Sequence, residues 1–288
     1  MIQYMEKASY DWSEDSVRII NTPSANVKMT FFYVQEMGYF KTVPPYFTER
    51  AGLSSFLILY TLSGKGVLRY EGEEYVLSKG DCFFIDCMKH HEYFTKDESG
   101  WEFLWLHFSG ASSAGYYDEF TRNGFRLVNI DETKHFKDDF IKLLDVNKER
   151  YAYHEVRSSA GIIALLTTLL TFDPNGQIGD GRIPDYIKNT IQYIDKHFKE
   201  EISLSDLSDR QHISKYHLSR EFKRYYGITM REYLINSRIT YAKELLKYTD
   251  LTVNEVAYSC GIDNVSHFIN LFKEREEMTP LVYRKNWK

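Results

Sequence analysis

From Met29 to about Phe108, apolar residues come in short runs separated by turn residues. Phe56-Leu-Ile-Leu-Tyr-Thr-Leu62 reads as a strand, followed by the turn Ser63-Gly-Lys-Gly66. Val67–Tyr70, Tyr75–Leu77, Cys82–Ile85 and Trp101–Phe108 read as further strands, with turns at Glu71-Gly72-Glu73 and Ser78-Lys-Gly-Asp81. Strands this short, with turns this regular, predict a small antiparallel barrel or sandwich. After Gly110 the period changes. Phe136, Phe140, Leu143 and Leu144 recur at helical spacing and predict a helix over Glu132–Asn147. A second helix is expected over Ala152–Thr171, holding the apolar run Gly161–Leu170. Asp173–Gly181, broken by Pro, Asn and Gly, is the expected linker.

From Pro184 onward the pattern is helical. Pro184 suits a first helical turn, and Ile187, Ile191, Ile194 and Phe198 make one apolar stripe. Ser203, Ser214, Thr229 and Thr252 each stand where an N-cap is needed. This half also repeats itself. Phe222/Phe272, Lys223/Lys273, Thr229/Thr279 and Tyr233/Tyr283 are 50 residues apart, while Leu204/Val253 and Leu207/Val256 are 49 apart. One residue is therefore gained in the turn between them.

Each copy follows one logic. A short helix with aliphatic inward residues leads through a tight turn, which uses Gly261 in the second copy, into a helix begun by Ser214 or Asn264. Leu218 and Phe222, or Phe268 and Phe272, then face the core at i, i+4. Lys215, Tyr216, Ser219 and Arg220 are left outward in the first copy. Val265, Ser266, His267, Ile269 and Asn270 are outward, or partly so, in the second. A helix presented this way fits the major groove of double-stranded DNA. Arg220 can read guanine bidentately, while Lys215, Lys223 and Arg224 suit phosphates. One such copy alone would equally suit a helical bundle with a solvated face. Two in tandem, joined by a long helix over Met230–Tyr248, favour DNA reading.

Charge agrees with this division. The 288 residues suggest two domains and carry a net charge of −5. From Asp185 onward there are 17 Lys and Arg against 15 Asp and Glu, net +2; the rest has 19 against 26, net −7. The C-terminal part is thus mildly basic, and the acidic N-terminal part is not the one to meet phosphate. Cys82, Cys87 and Cys260 match no zinc spacing and read as reduced, buried thiols. The start of the chain lacks the pattern of a signal peptide, and the longest apolar run is too short to span a bilayer, so a cytoplasmic location without membrane contact is expected. There is no nucleophile elbow, P-loop or dinucleotide fingerprint, so no catalytic residue and no cofactor is expected.

The segment from about Ser203 to Arg284 resembles the DNA-binding domain of the AraC/XylS family. The residues that carry the resemblance are Leu207, Ser214, Leu218, Arg220-Glu-Phe222-Lys223, Gly227-Ile-Thr229, Tyr233-Leu234, Arg238, Ala242, Leu245-Leu246, Val256-Ala257, Gly261, Phe268, Phe272-Lys273, Thr279-Pro280 and Tyr283-Arg284. The resemblance implies base reading by Tyr216, Ser219 and Arg220, then by Val265, Ser266, His267, Ile269 and Asn270. Three positions depart from the family pattern: Ser208 for Ala, Asn270 for Arg, and Glu277 for Gly. Asn270 leads us to expect that the first copy dominates specificity. Glu277 puts a helix-ending turn in question, because φ > 0 strains a residue with a Cβ.

The N-terminal half resembles the cupin-like sensor of sugar-responsive family members, through Tyr60–Gly66, Leu77–Asp81, His90–Tyr93 and Trp101–Phe108. This implies a pocket in which Trp105 stacks on a sugar while Arg50, His91 and Tyr93 bond its hydroxyls. Either Trp101 or Trp105 could equally be core. The expected fold class is α+β: an N-terminal antiparallel, cupin-like β-barrel with flanking helices, then an all-α domain with two helix-turn-helix motifs. The expected domains are 1–172 for sensing and dimerisation, 173–183 as linker and 184–288 for DNA binding. Expected partners are promoter DNA, a sugar effector, RNA polymerase and a second copy of the chain. The helical pair would be the dimer surface unless it packs on its own barrel. A cupin-type metal-dependent enzyme fused to a helical domain is the alternative. It is disfavoured because there is no His-x-His and because His90 and His91, adjacent in a strand, point to opposite faces.

Overall fold

A computed structural model describes residues 4–9, 11–122, 124–130, 135–150, 152–172 and 183–287. The chain divides into two compact units, Met1–Gly176 and Gln177–Lys288. Most of the expected linker lies outside the described residues.

The first unit holds two antiparallel sheets. One has the order β1 (Met5–Ala8), β4 (Phe47–Ala51), β9 (His91–Thr95), β6 (Gly66–Tyr70), β7 (Glu73–Leu77). The other runs β11 (Val128–Asn129), β8 (Asp81–Asp86), β5 (Phe56–Gly64), β10 (Trp101–Ser109), β3 (Tyr33–Thr42), β2 (Val17–Ile20). Among the described residues no ladder joins the two sheets, so the expected barrel is corrected to a sandwich. The edge strands, β1 and β7 in one sheet and β11 and β2 in the other, are only two to five residues long and pair with no strand of the opposite sheet. Pro44 and Pro45 have no N–H for a ladder, and there the chain leaves one sheet for the other.

Alternation along the strands builds two layers of core. Leu57, Leu59, Phe83, Ile85, Phe103 and Trp105 meet Leu68, Tyr70, Leu77 and Tyr93 between the sheets. Ile58, Tyr60, Phe84, Leu104, Leu106 and Phe108 point the other way, against Tyr117, Phe136, Phe140, Ile162, Leu165 and Leu169. Those belong to α2 (Ser113–Phe120), α3 (Phe136–Glu149) and α4 (His154–Leu170). Central strand β5 is buried on both faces, which is why it reads as an unbroken apolar run. Helices α3 and α4 appear where the periodicity placed them, shifted by one to four residues. Short α1 (Ala25–Thr30), α2 and edge strands β1 and β2 had no periodic signal.

The second unit contains α5 (Asp185–His197), α6 (Leu204–Gln211), α7 (Lys215–Tyr226), α8 (Met230–Tyr248), α9 (Val253–Ser259), α10 (Val265–Glu276) and α11 (Pro280–Trp287). Ser203, Thr229 and Thr252 each close a capping box with the acid three residues on, and Ser214 accepts from the His217 N–H. Pro184 is the N-cap of α5, one position before the expected first turn. Two cores form. Ile187, Ile194, Leu207, Leu218, Phe222 and Met230 make the first. Ile239, Ala242, Leu246, Val256, Phe268, Phe272 and Tyr283 make the second. Helix α8 serves both, giving its first turns to one and its later turns to the other. Two half-buried arginines pin this arrangement. Arg238 donates to the Phe198 and Glu200 carbonyls, each at 2.7 Å, and Arg284 to the Leu246 and Leu251 carbonyls.

Candidate nucleic-acid interface and effector pocket

The two capped helices α7 and α10 keep one face in a core and turn the other out. In α7, Leu218 and Phe222 are fully buried, while Lys215, Tyr216 and Arg220 are exposed, Tyr216 at 76%. Arg220 leans over the Tyr216 ring, 5.7 Å from its centroid, with Nε 3.4 Å from Glu221 Oε1. That loose tether leaves 58% of its side chain in solvent. In α10, Ser266, His267 and Asn270 are exposed. Val265 and Ile269 differ: each is half-buried against the second core. This is the partly outward placement that the sequence reading allowed, and it arises because both flank the buried stripe of Phe268 and Phe272.

Ser219 of α7 and His267 of α10 line one cleft of about 460 Å³, floored by Leu207, Met230, Leu234 and Leu271. The two helices therefore flank a common opening. The helix-ending turn at Glu277 survives its missing glycine. Glu277 adopts φ 58, in the left-handed region, as does Gly227 at φ 73 in the first copy.

The sandwich contains a second candidate site. Arg50, Tyr93 and Trp105 line one small cavity of about 30 Å³, together with Glu6, Trp12, Arg18, Glu36, Phe40, Tyr46 and Thr48. That is room for about one water. Cross-strand register explains the grouping: on β4 and β9, Arg50 faces His91 and Thr48 faces Tyr93. Trp12 stacks on Phe40, 4.5 Å between centroids, and helps to wall the cavity. Arg50, 8% exposed, donates from Nη2 to Glu6 at 3.0 Å and from Nη1 to His107 Nε2 at 2.8 Å. Its Nε and the Trp105 Nε1 are buried and pair with no described group. Burial works to raise the Glu6 carboxyl, but hydrogen bonds from Tyr4 and Arg50 prevail and hold it below the usual range.

His91 does not line the cavity. It is fully buried, its Nδ1 3.0 Å from the Lys89 carbonyl, and burial pushes its pKa down to about 4. Trp101 is core: its ring fills the space over Gly66 and its Nε1 donates to Thr61 at 3.2 Å. The sequence reading missed Glu6, Trp12, Arg18 and Glu36, which come from or pair with segments too short to show a period. Thr48 was missed as well, although it shares a strand face with Arg50. Among the described residues no three His, Cys, Asp or Glu side chains gather as a metal ion would need, and no helix is long and apolar enough to cross a membrane.

Comparison with known proteins defines the class. Residues 33–168 match the AraC-like ligand binding domain and residues 207–286 match a helix-turn-helix domain, together three quarters of the chain. The chain belongs to the AraC family of DNA-binding transcription regulators. It is 26% identical over 265 residues to the MmsAB operon regulatory protein of Pseudomonas aeruginosa, covering 88% of this chain and 82% of that protein. It is 38% identical over 106 residues to the bifunctional transcriptional activator/DNA repair enzyme AdaA of Bacillus subtilis. That match spans 36% of this chain and half of AdaA. Among solved structures, the C-terminal domain of AraT, a response regulator from Geobacillus stearothermophilus, is 31% identical, covering 36% of this chain and 88% of that one at a TM-score of 0.36.

Proposed function

We propose that this regulator reads promoter DNA with two helix-turn-helix units and is switched by a sugar effector bound between the sheets of its N-terminal unit. The observation that carries the reading is the pairing of α7 and α10, both capped, both exposed, on the two sides of one cleft. Tyr216, Ser219 and Arg220 read bases in one major-groove segment, with Lys215 on phosphate. Ser266, His267 and Asn270 read the next, with Val265 and Ile269 reaching it only from the edge. Arg50, Tyr93 and Trp105 contact the effector, and His91 supports Arg50 from the neighbouring strand. Because the cavity is small, effector entry displaces part of its wall.

The chain acts without catalysis, in the cytoplasm, as a homodimer that meets RNA polymerase at carbohydrate-utilisation promoters. Ile141, Val156 and Ile163, exposed on α3 and α4, support a dimer surface there. Domains of 1–172 and 184–288 with a linker at 173–183 complete the reading. The test is a thermal-shift screen of mono- and oligosaccharides on the full chain, then Trp105→Ala. Loss of the sugar response with DNA binding intact supports the reading. Loss of both would make Trp105 a core residue.

A further inference from the structure

We propose that the effector carries a carboxylate, and that this group takes the place of Glu6 on the Arg50 guanidinium. The inference rests on reading this cavity as the effector site. Arginine has only donors. His107 Nε2, 2.8 Å from Arg50 Nη1, must therefore accept, which places the imidazole proton on Nδ1, 3.0 Å from Ser55 Oγ. Ser55 and His107 thus fix one end of the guanidinium from the core.

The other edge of the guanidinium offers Nε–H and Nη2–H side by side, the fork that matches two carboxylate oxygens. Glu6 fills half of it, with Oε1 on Nη2, and Nε has no described partner. Arg18 shows the contrast in the same cavity. Its Nε and Nη2 both donate to Glu36 Oε2, at 3.0 and 2.7 Å, so that fork is already filled.

Glu6 is the replaceable partner. It belongs to β1, a four-residue strand at the edge of its sheet, and 27% of its side chain is in solvent. A neutral hydroxyl could accept from Nε. It could not replace Glu6, because a guanidinium this buried would lose its counter-ion. A carboxylate supplies both oxygens and the charge. The unpaired Trp105 Nε1 in the same cavity then takes a further oxygen of the ligand. Joined to the sugar reading, this describes a sugar acid such as a uronate or aldonate.

Acetate, the smallest stable carboxylate with an apolar end, serves as the probe. In the full chain, Glu6→Ala frees the fork, and the isosteric Glu6→Gln removes the competing charge while its amide oxygen can still accept from Nη2. Acetate should raise the Tm of either variant by about 2–4 °C, whereas acetamide, and chloride at equal ionic strength, should not. A further Arg50→Met should abolish the rise. Equal shifts with acetamide or chloride, or no acetate shift in either variant, would overturn the proposal. On the unsubstituted chain, uronates and aldonates should bind about tenfold or more tightly than their parent sugars. Parity of neutral and acidic sugars would overturn the carboxylate assignment and leave the effector pocket standing. Acetate rescue with no sugar of either kind binding would uphold the carboxylate assignment and overturn the sugar reading.

Discussion

Helix α7 turns Lys215, Tyr216 and Arg220 to solvent; fifty residues later, α10 presents Val265, Ser266 and Asn270 at the matching positions. The inward residues hardly change, with Leu218 and Phe222 answered by Phe268 and Phe272. The turns show the same economy. His212 and Gly261 both end the first helix of their copy in the left-handed region, at φ 54 and 76. Gly227 and Glu277 both end the second, at φ 73 and 58. Each copy keeps one glycine, at opposite ends. The backbone path is therefore held by packing and caps, and glycine is obligatory only where another chain segment comes close. At Gly261 a Cβ would stand 2.2 Å from the Lys199 carbonyl oxygen; at Gly227 it would meet nothing within 4 Å.

That contrast can be broken by substitution. Gly261→Ala combines a left-handed φ with a backbone clash and should cost about 2–4 kcal/mol in chemical denaturation. Gly227→Ala should cost only about 1 kcal/mol; equal losses would show that conformation alone matters. On DNA the asymmetry falls the other way. Arg220→Ala should lose about 1–3 kcal/mol at one base position. Asn270→Ala should lose less in the same binding assay, and the reverse order would make the second copy the dominant reader. Ser214→Ala, removing the cap of α7, should lower stability by about 1 kcal/mol, matched by Asn264→Ala in α10. Glu277→Gly should raise stability by up to about 1 kcal/mol, with DNA affinity unchanged.

How much of this could be read from the chain depended on whether the determining contact was local. Caps at Ser203, Ser214, Thr229 and Thr252 are settled within four residues, and the i, i+4 pairs of α7 and α10 within one turn. Both were legible. Arg50, Tyr93 and Trp105 do converge on one cavity, since strand parity brings them to it. Sheet closure was not legible, because it depends on which distant strands pair, as β1 with β4 and β3 with β10. Glu6 was missed for the same reason: its meaning comes from Arg50, 44 residues away. Val265 and Ile269 are only partly outward, as read from the chain, because an apolar residue flanking the buried stripe is drawn half inward.

The central claim is that α7 and α10 enter successive major-groove segments of one duplex. Selection of binding sites from random DNA, with the intact chain and with Arg220→Ala and His267→Ala, tests it most directly. The account predicts two blocks of preferred bases about 10 base pairs apart, Arg220→Ala erasing preference in one block and His267→Ala weakening the other. A single block, or variants that lower affinity uniformly across all sequences, would contradict it.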